Sequence, residues 1–152
     1  IFDDQISLSM KPVNEIKKYG NDLFLDTGSP HYVQLVSDIK KIDVLHLGRL
    51  IRNNSIFKNI GVNVNFVQFI SDSEFSVRTY ERGVENETLS CGTGVTAVAI
   101  AMFELNKTSL NKLKIVTNGG DLSVDFNKTI MGYDNIKLTG NVKMVYSGEI
   151  QV

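Results

Sequence analysis

The chain has 152 residues, 42% of them hydrophobic, and 16 basic against 17 acidic residues leave a net charge of −1. That is one domain, long enough to bury a core, and its lysines are scattered among acids with no basic stripe, so nucleic acid is not an expected partner. No apolar run approaches the roughly 20 residues of a membrane span and no leader precedes the first polar segment; one cysteine with two histidines makes no internal disulfide and a poor metal set. A cytoplasmic protein with no metal and no membrane partner is the expectation. The chain opens on Ile1 without methionine, so a fragment of a longer protein is expected.

Residues 6–10 alternate apolar and polar side chains as a half-buried strand does, and 22–26 follow as a second. Thr27-Gly28-Ser29-Pro30 breaks the pattern, and the loop delivers His31 to a short strand over 32–36. Asp43 can cap a helix to about Arg52 that presents Val44, Leu47, Leu50 and Ile51 along one face, with His46 at the surface. Residues 62–69 and 74–80 alternate again and read as paired strands with their apolar side chains on one face. The run from Gly92 to about Leu105 begins so uniformly small and apolar that it is expected inside a sheet, as a central helix. Strands over 113–117, 122–126 and 136–146 complete an α+β fold, a mostly antiparallel, barrel-like sheet around that helix.

Cys91 stands where a small-residue turn passes into this helix. A lone cysteine is more often packing than chemistry. At a helix start, however, the first amides have no intrahelical partner and carry the positive end of the dipole, which favours a thiolate and can also hold a substrate carboxylate. Gly92 and Gly94 remove side chains where a ligand would approach the backbone. Upstream, Glu81, Arg82 and Gly83 bring both charge signs just after a strand; alone, such a pair is ordinary solvated surface.

Taken in order, Asp26-Thr27-Gly28-Ser29-Pro30-His31, Leu47-Gly48-Arg49-Leu50-Ile51-Arg52, Val62-Asn63-Val64-Asn65-Phe66, Glu81-Arg82-Gly83, Glu87-Thr88-Leu89-Ser90-Cys91-Gly92-Thr93-Gly94, Leu138-Thr139-Gly140 and Gly148-Glu149-Ile150 resemble the C-terminal half of the diaminopimelate epimerases. The resemblance covers nearly the whole chain. It implies a two-domain, pyridoxal-phosphate-independent isomerase with no cofactor, in which each domain gives one catalytic cysteine to a cleft. It further implies that LL-diaminopimelate, a small-molecule amino-acid substrate, is converted to the meso form for lysine and peptidoglycan precursors.

By the same resemblance Cys91 is one of two bases, and Gly92 and Thr93 hold the α-carboxylate. The Thr93 hydroxyl can equally satisfy helix amides. Glu81 binds the substrate ammonium and assists proton handling, Arg82 pairs with the distal carboxylate, Asn63 reads the distal end and His31 lies near the thiols. For Asn63 the alternative is a polar position on the outer face of a strand, and for His31 a structural role. Ser29, counted with the substrate-binding residues, stands where many members have asparagine, and the loop at 84–87 is one residue longer than their commonest form.

The family's first cysteine motif has no counterpart here, so 1–152 is expected to be a single domain whose partner is the N-terminal domain of the same enzyme. Alone it is expected to be inactive, with Cys91 partly exposed and with an apolar cleft that makes association, a homodimer included, worth testing. Two other readings stand beside this one, a related proline or hydroxyproline-type racemase and a non-catalytic binding domain.

Overall fold

A computed structural model of the chain describes residues 5–151. Ile1, from which a fragment was expected, lies outside them. In chain order the elements are β1 (Gln5–Ser9), β2 (Ile16–Tyr19), β3 (Asp22–Asp26), β4 (Pro30–Leu35), a 3₁₀ turn (Ile39–Lys41), α1 (Val44–Arg52), β5 (Asn63–Ser71), β6 (Glu74–Glu81), β7 (Asn86–Thr88), α2 (Gly92–Glu104), β8 (Lys112–Thr117), β9 (Gly120–Thr129) and β10 (Gly132–Asn141). The strands form one sheet in the order β1-β10-β9-β8-β6-β5-β4-β3-β2, with β7 paired to β6.

All neighbours are antiparallel except β4 with β5 and β6 with β8. A parallel neighbour cannot be reached through a tight hairpin, because the chain must return to the other end of the sheet. Each crossover contains one α-helix, α1 between β4 and β5 and α2 between β6 and β8. The expected α+β fold, a mostly antiparallel sheet curled around a central helix, is therefore present.

In α2 every residue from Gly94 to Met102 is buried. It contacts β3, β4, β5, β6, β8, β9 and β10, so a one-sided apolar stripe would not suffice and small apolar residues all round fit the space. Among the described residues no helix is long and apolar enough to cross a membrane.

Helix α1 packs on the other side of β5 and β6. Asp43 caps it as expected, its carboxylate accepting the His46 amide at 3.0 Å, and Arg49 and Arg52 lie in the last turn, where cations complement the dipole. The predicted apolar face needs correction: Leu50 is 56% exposed, whereas Gly48 is buried. A Cβ on Gly48 would lie 2.4 Å from Tyr80 Cβ, so the helix touches the sheet through a residue with no side chain.

Three further expectations fail for local reasons. The last strand ends at Asn141, and 142–151 carry no regular structure and are exposed. His31 is not placed by a loop, since β4 already starts at Pro30. Strand β5 does not have one apolar face; its first five residues are all buried, because α1 covers one side and α2 the other. Val64 and Phe66 join the α1-side core with Phe57 and Tyr80, while Val67 joins the α2-side core with Val33 and Val77.

Candidate active site

Strand parity builds the site. His31 pairs with Asn63 and Val33 with Asn65 across β4 and β5, and Asn65 pairs with Thr79 across β5 and β6. Side chains on alternate residues share a face, so His31, Asn63, Asn65 and Thr79 all lie on the α2 side. All four are buried.

Cys91 is the N-cap of α2, with φ −131° and ψ 109°, and its side chain makes no capping hydrogen bond. Serine or aspartate there would give an oxygen to the first-turn amides. The sulfur leaves those amides to an outside acceptor, at the positive end of the dipole. As expected, Cys91 is partly exposed.

Thr93 lies behind the sulfur. Its hydroxyl is 3.5 Å from Cys91 Sγ and 2.9 Å from His31 Nε2, and its carbonyl accepts the Thr27 hydroxyl at 2.7 Å. The hydroxyl thus joins thiol to imidazole and does not cap the helix. His31 has no exposed surface. Burial pushes its pKa down to about 3, with the Asp26 carboxylate acting upward and the Arg82 guanidinium downward. The neutral ring meets the Asn65 amide nitrogen through Nδ1, at 3.1 Å, and its link to the thiol runs through Thr93.

Asn63 is 3% exposed. Its amide nitrogen donates to Ser29 Oγ at 2.6 Å and to the Pro30 carbonyl at 3.2 Å, and its oxygen accepts the Arg82 backbone amide at 2.8 Å. The outer-face alternative is excluded, because that side chain lies on the inner, α2 face of a strand covered on both sides. Asn63 ties the turn before β4 to the turn after β6. Ser29 is half-buried there, in the position the sequence comparison marked as a departure.

Glu81 ends β6 half-buried, and its carboxylate makes no hydrogen bond or ion pair among the described residues. Arg82 is exposed, with its guanidinium held by the Ile60 carbonyl at 2.9 Å and facing no acidic partner among those residues. Of the 84–87 segment, Asn86 and Glu87 already belong to β7, and Glu85, at φ 58°, closes the turn before it by accepting the Tyr80 hydroxyl at 2.9 Å and the Gly83 amide at 3.0 Å.

The two glycines expected to admit a ligand have their own neighbours. A Cβ on Gly92 would lie 2.9 Å from Leu138 Cδ2, and one on Gly94 would lie 2.6 Å from Asn65 Oδ1. Their missing side chains let β10 and β5 approach the helix. Sequence reasoning assigned no role to Thr27, Asn65 or Thr79. For Asn65 and Thr79 the signal existed in the alternation that also carries Asn63; for Thr27 only the tertiary contact reveals it.

A family model described as diaminopimelate epimerase matches residues 23–145. Over 148 residues the chain is 47% identical to the diaminopimelate epimerase of Flavobacterium psychrophilum, covering 97% of this chain and 58% of that protein. Over 129 residues it is 43% identical to that of Aquifex aeolicus, covering 84% and 45%. The chain spans about half the length of these curated relatives.

Among solved structures, a hydroxyproline epimerase from Agrobacterium vitis aligns with a TM-score of 0.58 at 12% identity, over 91% of this chain and 50% of that one. A probable proline racemase from Agrobacterium radiobacter K84 aligns with a TM-score of 0.56 at 17% identity, over 90% and 50%. At such identities the likeness is one of fold. The matched residues run from β3 past the end of β10 and include every residue of the cluster around Cys91, so the chain belongs to the diaminopimelate epimerase family.

Proposed function

We propose that this chain is the C-terminal domain of a cofactor-independent, cytoplasmic isomerase that converts LL- to meso-diaminopimelate, with Cys91 as one of its two bases. The observation that carries the proposal is the uncapped N-terminus of α2, where the partly exposed Cys91, its thiol backed by the Thr93 hydroxyl, stands beside amides to which its side chain gives no acceptor.

Inverting an α-carbon requires taking a weakly acidic proton from one face and giving one back on the other. A thiolate and a thiol on opposite faces can do this and exchange roles with direction. Charge that builds up toward the α-carboxylate needs fixed donors, and the Gly92 and Thr93 amides fill that role. Glu81 binds the substrate ammonium. Arg82, exposed and without an acidic partner among the described residues, takes the distal carboxylate, whose two oxygens suit a guanidinium fork. Asn63 accepts the Arg82 amide and so holds that turn toward the substrate's distal end.

The chain holds one cysteine, so the second base must come from outside these residues, and this chain alone is inactive. The same count favours one other reading, a domain that keeps the fold and binds the amino acid without turning it over. The two separate in D₂O. A protein carrying both halves should exchange and invert the α-proton of LL-diaminopimelate, with a loss of about 10²–10⁴-fold for Cys91→Ser, as expected for an acid–base group. Binding without exchange would leave the binding domain as the better reading.

A further inference from the structure

The buried groups behind Cys91 have donor and acceptor roles that the backbone dictates. Asn65 is fully buried. A main-chain carbonyl can only accept, so the Asn65 atom 3.1 Å from the Tyr32 carbonyl is its NH₂ group. The second hydrogen of that group faces His31 Nδ1 at 3.1 Å, and the amide oxygen accepts the Thr79 hydroxyl at 3.0 Å. An Nδ1 that accepts carries no proton, so the proton of a neutral ring sits on Nε2. Nε2–H then donates to Thr93 Oγ1 at 2.9 Å. The one hydrogen of that hydroxyl is free to turn to Cys91 Sγ, 3.5 Å away.

We propose that Asn65 is a positioning residue that locks His31 in the Nε2–H tautomer and thereby aims the Thr93 hydroxyl proton at the Cys91 sulfur. With the opposite tautomer, Thr93 would donate to the ring and offer the sulfur only lone pairs. The lock therefore selects the sulfur as acceptor, which is the requirement of a thiolate. Gly94 belongs to the device, because only a residue without a Cβ leaves room for the Asn65 oxygen, 2.6 Å from where that atom would stand. The charged groups that act on the ring are Asp26 and Arg82. The value of the lock to catalysis rests on the proposed role of Cys91; the tautomer itself does not.

The chain has two histidines, so ¹⁵N-histidine labelling gives two ring patterns, one from buried His31 and one from exposed His46. His31 should show a bare Nδ1 and a protonated Nε2, unchanged from about pH 8 to about pH 5. Asn65→Asp replaces the donor with an acceptor and should move the ring proton from Nε2 to Nδ1. It should also slow iodoacetamide alkylation of Cys91 at neutral pH about tenfold, the loss of one hydrogen bond to a charged acceptor. Thr93→Val should slow alkylation by a similar factor, and Asn65→Asp should add almost nothing on top of it, because both break one chain.

A protonated Nδ1 in the parent protein, an unaltered ring pattern in Asn65→Asp, or additive effects of the two substitutions would each overturn the lock. If Asn65→Asp does not fold, the parent tautomer and Gly94→Ala, which displaces the same amide, decide the matter. A protein with the predicted ring pattern and alkylation rates that fails to exchange the α-proton refutes the proposed reaction and leaves the lock standing.

Discussion

The central strands β4, β5 and β6 have two buried faces that differ in kind. Toward α1, Tyr32, Val64, Phe66 and Tyr80 pack around Phe57 in an apolar cluster. Toward the start of α2, the intervening residues His31, Asn63, Asn65 and Thr79 are as well buried but polar. Both faces are within reach of the same helix–sheet packing, so burial alone does not require the polar one. An apolar face tolerates any residues that fill its volume, whereas a polar face in a low-dielectric interior must have every donor and acceptor matched. That one face takes the harder solution, next to the Cys91 thiol, fits the role proposed for that cysteine.

The largest expected effect breaks the apolar face. Phe57 is 2% exposed and its ring meets Tyr19, Phe24 and Tyr32 at centroid distances of 5.5–5.6 Å. Phe57→Ala should cost about 3–5 kcal/mol in urea unfolding while leaving the His31 ring pattern unchanged. A changed tautomer in a variant that still folds would show the two faces to be coupled. Next in size, Gly48→Ala places a methyl 2.4 Å from Tyr80 Cβ. Overpacking of this kind costs about 1–3 kcal/mol, although alanine is the better helix former. A stabilised variant would refute the close contact.

These contrasts also mark what the sequence made legible. The central helix could be read because nine consecutive small or apolar residues, Gly94 to Met102, have no polar face to turn outward. The antiparallel strands followed from alternation, and Cys91 from its place ahead of that helix. The buried polar residues were harder, because alternation in β5 shows that Asn63 and Asn65 share a face but not that a second helix covers it. Leu50 was assigned to the core and Gly48 overlooked for a related reason: periodicity ranks side chains by polarity, and the close contact at Gly48 depends on having none. Beyond Asn141 the valine, methionine and tyrosine pattern continues, yet the strand ends there, its last pairing among the described residues being with Gln5.

The polar face can be tested alone through pH. His31 is held at a pKa of about 3, against an ordinary value of 6.5, chiefly by burial. Between those values the unfolded chain binds the proton and the folded one does not, so stability rises with pH across that window. The full contribution is present above about pH 6.5 and erodes as pH falls toward 3. At about 1.36 kcal/mol per pH unit, His31 should account for roughly 2 kcal/mol of lost stability between pH 8 and pH 5. Urea titrations of the parent protein and His31→Gln at both pH values isolate this, since every other titratable group is common to both proteins. Equal pH dependence in the two would mean that His31 is not held neutral.

The smallest effect on stability should come from Arg82→Lys. Arg82 is exposed and hydrogen-bonded through its guanidinium to one main-chain carbonyl, that of Ile60, and such surface changes stay within about 0.5 kcal/mol. The backbone amide that Asn63 holds is untouched by the substitution, so the turn should keep its place. Lysine retains the charge but loses the planar fork that grips both oxygens of a carboxylate. In a protein carrying both halves, the variant should therefore bind diaminopimelate more weakly than the parent, and an analogue without the distal carboxyl should bind both proteins alike. Equal weakening toward that analogue would place the role of Arg82 in holding the site together, and would move the distal recognition to some other group.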